Sequence, residues 1–158
     1  MNTKEVCNAL VLGMRDYFRK NNFSKAVIGL SGGIDSSVAA FLAVKAIGKK
    51  NVTGFLMPDL KVTSQESVKD AVSIAKKLQI KRITVPIDDS VNYFEKINNK
   101  FKIKNNSYAI GNLKARTRMM VLYYFANLDN ALVIGTSDKS EIALGYTTNT
   151  ATAGPTYL

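Results

Sequence analysis

The sequence predicts an α/β protein with a parallel sheet that is covered by helices on both faces. Short apolar runs typical of buried strands alternate with stretches of helical periodicity along the whole chain. A glycine-rich segment directly follows the first of these strands. The chain has 158 residues, 46% of them hydrophobic, which is enough for one sizeable core. We therefore expect a single domain over residues 1–158.

The predicted elements follow one another in a regular order. Helices are predicted over residues 3–20, 35–47, 64–79, 89–98 and 110–127, and strands over 26–31, 52–57, 82–87 and 131–135. Thr63 and Glu66 have the spacing of a capping box, which indicates a helix start. Residues 99–109 are polar and basic without a clear period, and we expect a mobile surface loop there. Ligands of such sheets bind beyond the carboxyl ends of the strands.

Composition limits the chemistry that the chain can perform. There is no histidine, so the usual general base and the usual zinc ligand are both missing. The single Cys7 cannot form an internal disulfide. No apolar run is long enough to span a bilayer and the N-terminus does not resemble a signal peptide, so we expect a cytoplasmic protein. The net charge of +10 fits a nucleic-acid surface or a polyphosphate pocket, and we favour the second.

The segment SGGIDSS, residues 31–37, lies where the first strand turns into its helix. Gly32 and Gly33 allow positive φ angles and a close approach of a ligand to the backbone. Backbone amides there, together with the hydroxyls of Ser31, Ser36 and Ser37, can bind phosphate oxygens. A carboxylate at Asp35 would repel phosphate unless a cation lay between them, which suggests Mg²⁺. The plainer interpretation is a tight turn with an N-capping Asp or Ser.

This segment resembles the pyrophosphate loop of the N-type ATP pyrophosphatases. GNLKARTRMMVLYY (111–124) and LVIGTSDKSEIALGY (132–146) resemble the NAD synthetase family specifically. The resemblance covers residues from about 5 to 147 and implies a Rossmann-like, doubly wound parallel sheet of the adenine nucleotide alpha hydrolase-like type. It also implies an ATP site made by a set of backbone and side-chain positions. These are Gly29, Leu30, Ser31, Gly32, Gly33, Ile34, Asp35, Ser36 and Thr136.

Helical spacing and the resemblance together assign the remaining candidates. Asn112 and Arg116 lie one turn apart on one helix face, and the resemblance assigns them to the deamido-NAD substrate. Glu141 resembles the second magnesium ligand and the partner of Asp35. A solvated basic helix face explains Lys114 better than a binding role does.

The same helix carries two further features. Arg118 is left without a role. Ala115, Met119 and Leu122 form an apolar stripe.

The implied reaction is the ATP-dependent amidation of deamido-NAD⁺ to NAD⁺. The substrate carboxylate attacks the α-phosphorus of ATP, pyrophosphate leaves, and ammonia then displaces AMP. ATP, deamido-NAD⁺, ammonia and Mg²⁺ are the implied ligands, and a homodimer is expected from the resemblance alone. Two alternatives remain: a tRNA-modifying adenylating enzyme of the same superfamily, which the positive charge would suit, and a catalytically inactive ATP-binding fragment.

The resemblance stops after Tyr146, where the family continues with a substrate loop and further helices. Asn149 and Thr152 stand about where a lysine and an aspartate of that loop belong, so we expect the C-terminal part of the site to be missing. With permitted codons, residues 149–158 read two bases later encode Tyr-Gly-Asp-Gly-Gly-Ala-Asp-Ile-Leu, which is the family's loop. This match indicates a frame shift after about residue 147.

Resequencing the gene tests the frame shift. We expect a frame without the slip to restore the loop and a longer C-terminal half. Codons for residues 149–158 that are incompatible with the shifted reading would contradict the hypothesis. If the truncated chain is what the cell makes, we expect it to synthesise no NAD⁺, because the substrate loop is absent.

Overall fold

The computed structural model describes residues 2–104, 106–137 and 139–144. Helices and strands alternate in it as the sequence predicts. The helices are α1 (Thr3–Lys20), α2 (Ile34–Ile47), α3 (Gln65–Leu78), α4 (Asp88–Lys100), α5 (Ser107–Asp129) and α6 (Lys139–Leu144). The strands are β1 (Lys25–Gly29), β2 (Val52–Leu56), β3 (Lys81–Thr84) and β4 (Ala131–Ile134). No helix in this part of the chain is both long and apolar enough to cross a membrane.

The four strands form one parallel sheet in the order β3-β2-β1-β4. β1 pairs with β2 in the register Ala26 to Val52 and with β4 in the register Ala26 to Leu132. The chain therefore moves outward from β1 to β3 and then returns to the other side of β1. This reversal of strand order creates a crevice at the carboxyl ends of β1 and β4.

Hydrophobic clusters cover both faces of the sheet, as expected for a doubly wound fold. Alternate residues of β1 point to opposite faces. Ile28 packs in one cluster with Phe18 of α1 and Ala40 of α2. Val27 packs in the other cluster with Val91 of α4. Helices α1, α2 and α3 thus cover one face, whereas α4 and α5 cover the other.

Most predicted boundaries lie within three residues of the observed ones. The end of β3 and the start of α5 differ most, by three residues each, and the strand geometry of β3 stops at Thr84, shortly before Pro86. The predicted loop over residues 99–109 is too long. α4 continues to Lys100 and α5 begins at Ser107, where the side chain of Asn106 accepts hydrogen bonds from two amides.

The predicted capping box is wrong by one residue. Ser64 caps α3, and its hydroxyl accepts a hydrogen bond from the amide of Ser67 at 3.1 Å. The hydroxyl of Thr63 instead accepts a hydrogen bond from the amide of Asp59 at 2.9 Å. Thr63 therefore closes the preceding turn, and Glu66 lies in the first turn of the helix, where a carboxylate favours the helix dipole.

Candidate active site

A cavity of about 670 Å³ opens at the carboxyl end of the sheet. Its walls come from the segments that follow β1, β2 and β4 and from one side of α5. The described residues that line it include Gly29, Leu30, Ser31, Ser36, Met57, Pro58, Thr63, Ser64, Ser67, Ala115, Arg118, Met119, Leu122, Tyr123 and Thr136. The cavity therefore occupies the crevice at the reversal of strand order, where such sheets bind ligands.

The turn after β1 is held by its own hydroxyl groups. Gly32 has φ +88°, and a Cβ added to it would collide with the backbone oxygen of Ser67. The Ser31 hydroxyl accepts a hydrogen bond from the amide of Gly33 at 3.1 Å, and the buried Ser36 hydroxyl donates to the Gly33 carbonyl at the same distance. Only a glycine at position 32 provides both the positive φ and the close approach to α3.

Two expectations about this turn are wrong in detail. Gly33 has φ −78°, so it does not need the conformational freedom of glycine, and it is the N-cap of α2 without a side-chain hydrogen bond. Ser37 donates its hydroxyl to the Gly33 carbonyl at 2.8 Å. The hydroxyls of Ser36 and Ser37 are thus used to shape the turn, and the capping Asp or Ser of the plainer interpretation is absent.

Backbone amides supply the positive end of this site. The amides of Gly32, Ile34 and Asp35 lie in the turn and the first turn of α2, where helical N–H groups have no intrahelical acceptor. No acceptor for them occurs in the described ranges. Such amides, with the positive end of the helix dipole, form a binding site for phosphate oxygens.

The structure brings together part of the predicted residue set. Gly29, Leu30, Ser31, Ser36 and Thr136 line the cavity, and Gly32, Gly33, Ile34 and Asp35 continue directly from its rim. Asn112 and Arg116 lie on α5 one turn apart, and neither lines the cavity. Arg116 is exposed to solvent. Their assignment to deamido-NAD stays a prediction.

Glu141 lies on α6, the short helix after β4. Its side chain is half-buried, whereas that of Asp35 is exposed. No group of three or more histidine, cysteine or acidic side chains that could hold a metal ion occurs within the described ranges. Mg²⁺ prefers a few carboxylates together with phosphate oxygens and water, so Asp35 beside a phosphate site fits the ion.

The loop after β2 forms another part of the cavity wall, next to α5. Asp59 organises it, and its side chain is only 5% exposed. The Asp59 carbonyl accepts the amides of Val62 and Thr63, while its carboxylate accepts the amide of Lys61 at 3.1 Å. The carboxylate of Asp88 accepts the amide of Leu60 at 2.9 Å and so ties this loop to α4.

Lys114 is the charged partner of Asp59, which corrects the expectation of a solvated helix face. Its ammonium lies 2.6 Å from the Asp59 carboxylate. The hydrogen bond from Lys114 holds the pKa of Asp59 below its ordinary value, although burial opposes this and the amide of Lys61 adds to it. Lys114 therefore fastens the loop to α5.

Arg118, one turn further along α5, contacts the same loop. Its Nε donates to the carbonyl oxygen of Met57 at 3.0 Å, and its side chain lines the cavity. Burial lowers the pKa of Arg118, and the negative charge of Asp59 partly opposes this. An arginine stays protonated under such conditions, so α5 places a cation in the cavity.

Sequence reasoning missed the contribution of the β2 loop. Met57, Pro58, Thr63, Ser64 and Ser67 all line the cavity. Their position after the second strand of a parallel sheet was a usable signal, because the carboxyl ends of all four strands meet at one edge. The apolar stripe of Ala115, Met119 and Leu122 was predicted, and it faces this cavity.

A glycine turn between a parallel strand and a helix, next to a crevice at the carboxyl edge, is typical of nucleotide-binding α/β domains. Comparisons with known proteins agree. The model of the family described as NAD synthase matches residues 6–153. The NH(3)-dependent NAD(+) synthetase of Staphylothermus marinus is 44% identical over 89% of this chain and 50% of its own length.

Two solved structures extend the comparison. The glutamine-dependent NAD+ synthetase of Acinetobacter baumannii, in complex with ADP, has a TM-score of 0.88 and 35% identity over 94% of this chain and 28% of its own. The NMN synthetase of Francisella tularensis has a TM-score of 0.87 and 34% identity over 96% of this chain and 61% of its own. The Rossmann-like fold is thereby confirmed.

The chain belongs to the NAD synthase family. It spans about half the length of the Staphylothermus marinus relative. The family match ends at residue 153 and so continues beyond Tyr146, where the recognisable motifs end. Asn149 and Thr152, on which the frame-shift hypothesis depends, lie outside the described residues.

Replacing Gly32 with alanine tests the close approach of the turn to α3. We expect Gly32→Ala to cost more than about 2 kcal/mol of unfolding free energy, because it adds a steric collision to an unfavourable φ. Gly48→Ala is the matched control, since Gly48 has the same φ of +88° with no atom within 4 Å of an added Cβ. Equal losses in urea unfolding would contradict the collision.

Replacing Lys114 with methionine tests the tie between the β2 loop and α5. We expect Lys114→Met to cost about 2–3 kcal/mol, because it leaves a buried carboxylate without its partner. Lys25→Met is the control: Lys25 pairs with Asp129 at 3.1 Å, but both side chains are about half exposed, so we expect less than about 1 kcal/mol.

The same pair predicts a pH dependence. The folded-state pKa of Asp59 is depressed, so its contribution is complete above its unfolded pKa of about 3.8 and is lost as pH falls through the lower folded value. The stability difference between the original protein and Lys114→Met should therefore be present at pH 6 and shrink below pH ~4. A difference that persists unchanged at low pH would exclude the ion pair as its cause.

Proposed function

We propose that the chain forms the ATP-binding half of an enzyme that amidates deamido-NAD⁺ to NAD⁺ with ammonia. The carrying observation is the turn after β1, with its unpaired amides beside a cavity of about 670 Å³. Similarity to a synthetase that was solved with ADP supports an adenine nucleotide as the ligand. The names of the relatives support the reaction.

The residues of this chain would bind and orient the nucleotide. The amides of Gly32, Ile34 and Asp35 would donate hydrogen bonds to the departing pyrophosphate. Fixed dipoles of this kind stabilise the negative charge that develops in the transition state. Thr136, at the end of β4, adds a hydroxyl at the cavity wall. Ammonia is its own nucleophile in the second step, so a chain without histidine can serve this reaction.

Magnesium belongs to the proposal. Asp35 would hold it beside the phosphates, with Glu141 as a second carboxylate. When bound, the ion supplies charge neutralisation to the phosphate oxygens. The exposed carboxylate of Asp35, which has no hydrogen bond or ion pair with another described residue, supports this role.

A second substrate is favoured by one comparison. An NMN synthetase is 34% identical to this chain and has nearly the same TM-score as the NAD+ synthetase solved with ADP. This half of the family fold therefore fits formation of NMN as well as NAD. An assay of the cloned gene's product with the carboxylic acid precursor of NAD and, separately, with that of NMN shows which of the two amides the enzyme forms. The tRNA-modifying alternative is not favoured, because the relatives are NAD synthetases.

Deamido-NAD binding by Asn112 and Arg116, a homodimer and a cytoplasmic location complete the proposal. The two residues project from α5, which forms one wall of the cavity. A second nucleotide bound along the same helix would lie close to the first. The dimer depends on the family resemblance alone, whereas the location is the expectation from the sequence.

Replacing Asp35 with alanine tests the proposed magnesium-dependent adenylation. We expect the Asp35→Ala form of the cloned gene's product to lose pyrophosphate release in the presence of ATP, Mg²⁺ and deamido-NAD⁺. Asp89→Ala is the matched control, because Asp89 is also an exposed acid in the first turn of a helix, α4. It lies outside the cavity lining and should leave the rate unchanged.

Two results would overturn the assignment. Unchanged pyrophosphate release by Asp35→Ala would exclude its metal role. Equal losses in Asp35→Ala and Asp89→Ala would indicate a general effect on helix termini instead of a site. Circular dichroism of both variants verifies that they remain folded.

A further inference from the structure

Arg118 is the one charged side chain among the described residues that line the cavity. The other lining residues are apolar side chains, hydroxyl groups and glycines. A charged group in a partly dehydrated wall costs free energy unless an opposite charge or a hydrogen-bond acceptor compensates it. The hydrogen-bond partners of Arg118 therefore indicate which kind of ligand the cavity can bind.

Only one nitrogen of the Arg118 guanidinium has a hydrogen-bond partner among the described residues. Nε donates to the Met57 carbonyl at 3.0 Å, which fixes the plane of the group. None of the ion pairs among the described residues includes Arg118, and no acceptor for its two terminal nitrogens occurs there. The nearby carboxylate of Asp59 is already paired with Lys114 at 2.6 Å. The terminal N–H groups thus remain available to an anion.

The contacts of Asp59 keep this arrangement rigid. Lys114 and Arg118 are four residues apart, so they lie on one face of α5 and contact the same loop. Lys114 neutralises the buried carboxylate of that loop, and the carbonyl of Met57 orients Arg118. Lys114 is therefore a positioning residue, whereas the terminal N–H groups of Arg118 are available to a ligand.

We propose that Arg118 binds a phosphoryl group of the nucleotide in this cavity. The inference rests on the proposed function, since it takes a nucleoside phosphate as the ligand. A planar guanidinium whose two terminal nitrogens are available matches phosphate oxygens, and charge-assisted hydrogen bonds of this kind are the strong ones. Arg118 would extend the phosphate site from the amides of the β1 turn to the wall that α5 forms.

Calorimetric titration of the 158-residue chain with ATP and, separately, with adenosine tests the proposal. We expect Arg118→Met to weaken ATP binding about 10- to 100-fold, the usual worth of a hydrogen bond to a charged group, and to leave adenosine binding within about twofold. Arg118→Lys should recover only part of the ATP affinity, because an ammonium cannot keep both the Met57 contact and the planar phosphate contact.

Arg15→Met is the matched control. Nε of Arg15 also donates to a backbone carbonyl, that of Ala46, at 3.2 Å, but Arg15 lies on α1 outside the cavity lining. The Arg15→Met substitution removes the same charge and the same kind of hydrogen bond as Arg118→Met. We expect its ATP affinity to stay within about twofold of that of the original chain. An equal loss in both variants would show that net charge, not Arg118, controls binding.

Each remaining outcome is decisive. An original chain that binds neither ligand overturns the proposed function and this inference with it. Binding of ATP by the original chain with no loss in Arg118→Met overturns this inference alone. Adenosine affinity that falls as much as ATP affinity would mean that Arg118 supports the cavity wall or the base instead of a phosphate.

Discussion

The central position of β1 in the parallel sheet determines where this protein can hold a ligand. α2 leads the chain from β1 to β2, whereas α5 leads it to β4 on the opposite side. Because these connections diverge to opposite sides of β1, a crevice forms at its carboxyl end. The glycine turn after β1 lies at this point, and the described cavity lining comes from the segments after β1, β2 and β4, from α3 and from one side of α5.

Charged groups hold the part of the cavity wall that the loop after β2 forms. The loop after β2 is held by contacts of Asp59 and Asp88 and by two basic side chains of α5. Buried ion pairs contribute little net stability compared with apolar contacts, but they fix one geometry because a displaced partner would leave a buried charge. The Asp59–Lys114 pair thus fixes the position of this loop, whose Met57 carbonyl accepts the hydrogen bond from Arg118.

The order and type of the elements could be predicted because their signals are local. Apolar runs and helical periods identify β1, β2, α2 and α3 without knowledge of tertiary contacts. Asn106 could not be recognised as a helix cap from the sequence, because it lies in a polar, basic run in which many neighbours are also polar. Its role depends on where α5 begins, which a weak period does not reveal.

In the candidate site, too, features with a local sequence pattern could be predicted and features that depend on distant partners could not. The turn after β1 has glycines in a local pattern and was predicted, whereas Lys114 was misjudged. Its helix position alone fits a solvated face, and its partner Asp59 lies on a loop that is distant in sequence. The internal use of the Ser36 and Ser37 hydroxyls also needed coordinates, because a serine in a helical first turn can face a ligand or the backbone.

The positive charges of this chain lie mainly outside the cavity. Of 22 lysines and arginines, Arg118 alone is among the described residues that line the cavity. The net charge of +10 therefore acts mainly from the surface, where it raises the local concentration of anionic ligands and is screened by salt. Amides and one oriented guanidinium act at short range, where screening is weak. In the proposed phosphate site, attraction of the ligand by the net charge would thus be separate from its recognition, and the net charge of this chain does not by itself indicate nucleic acid.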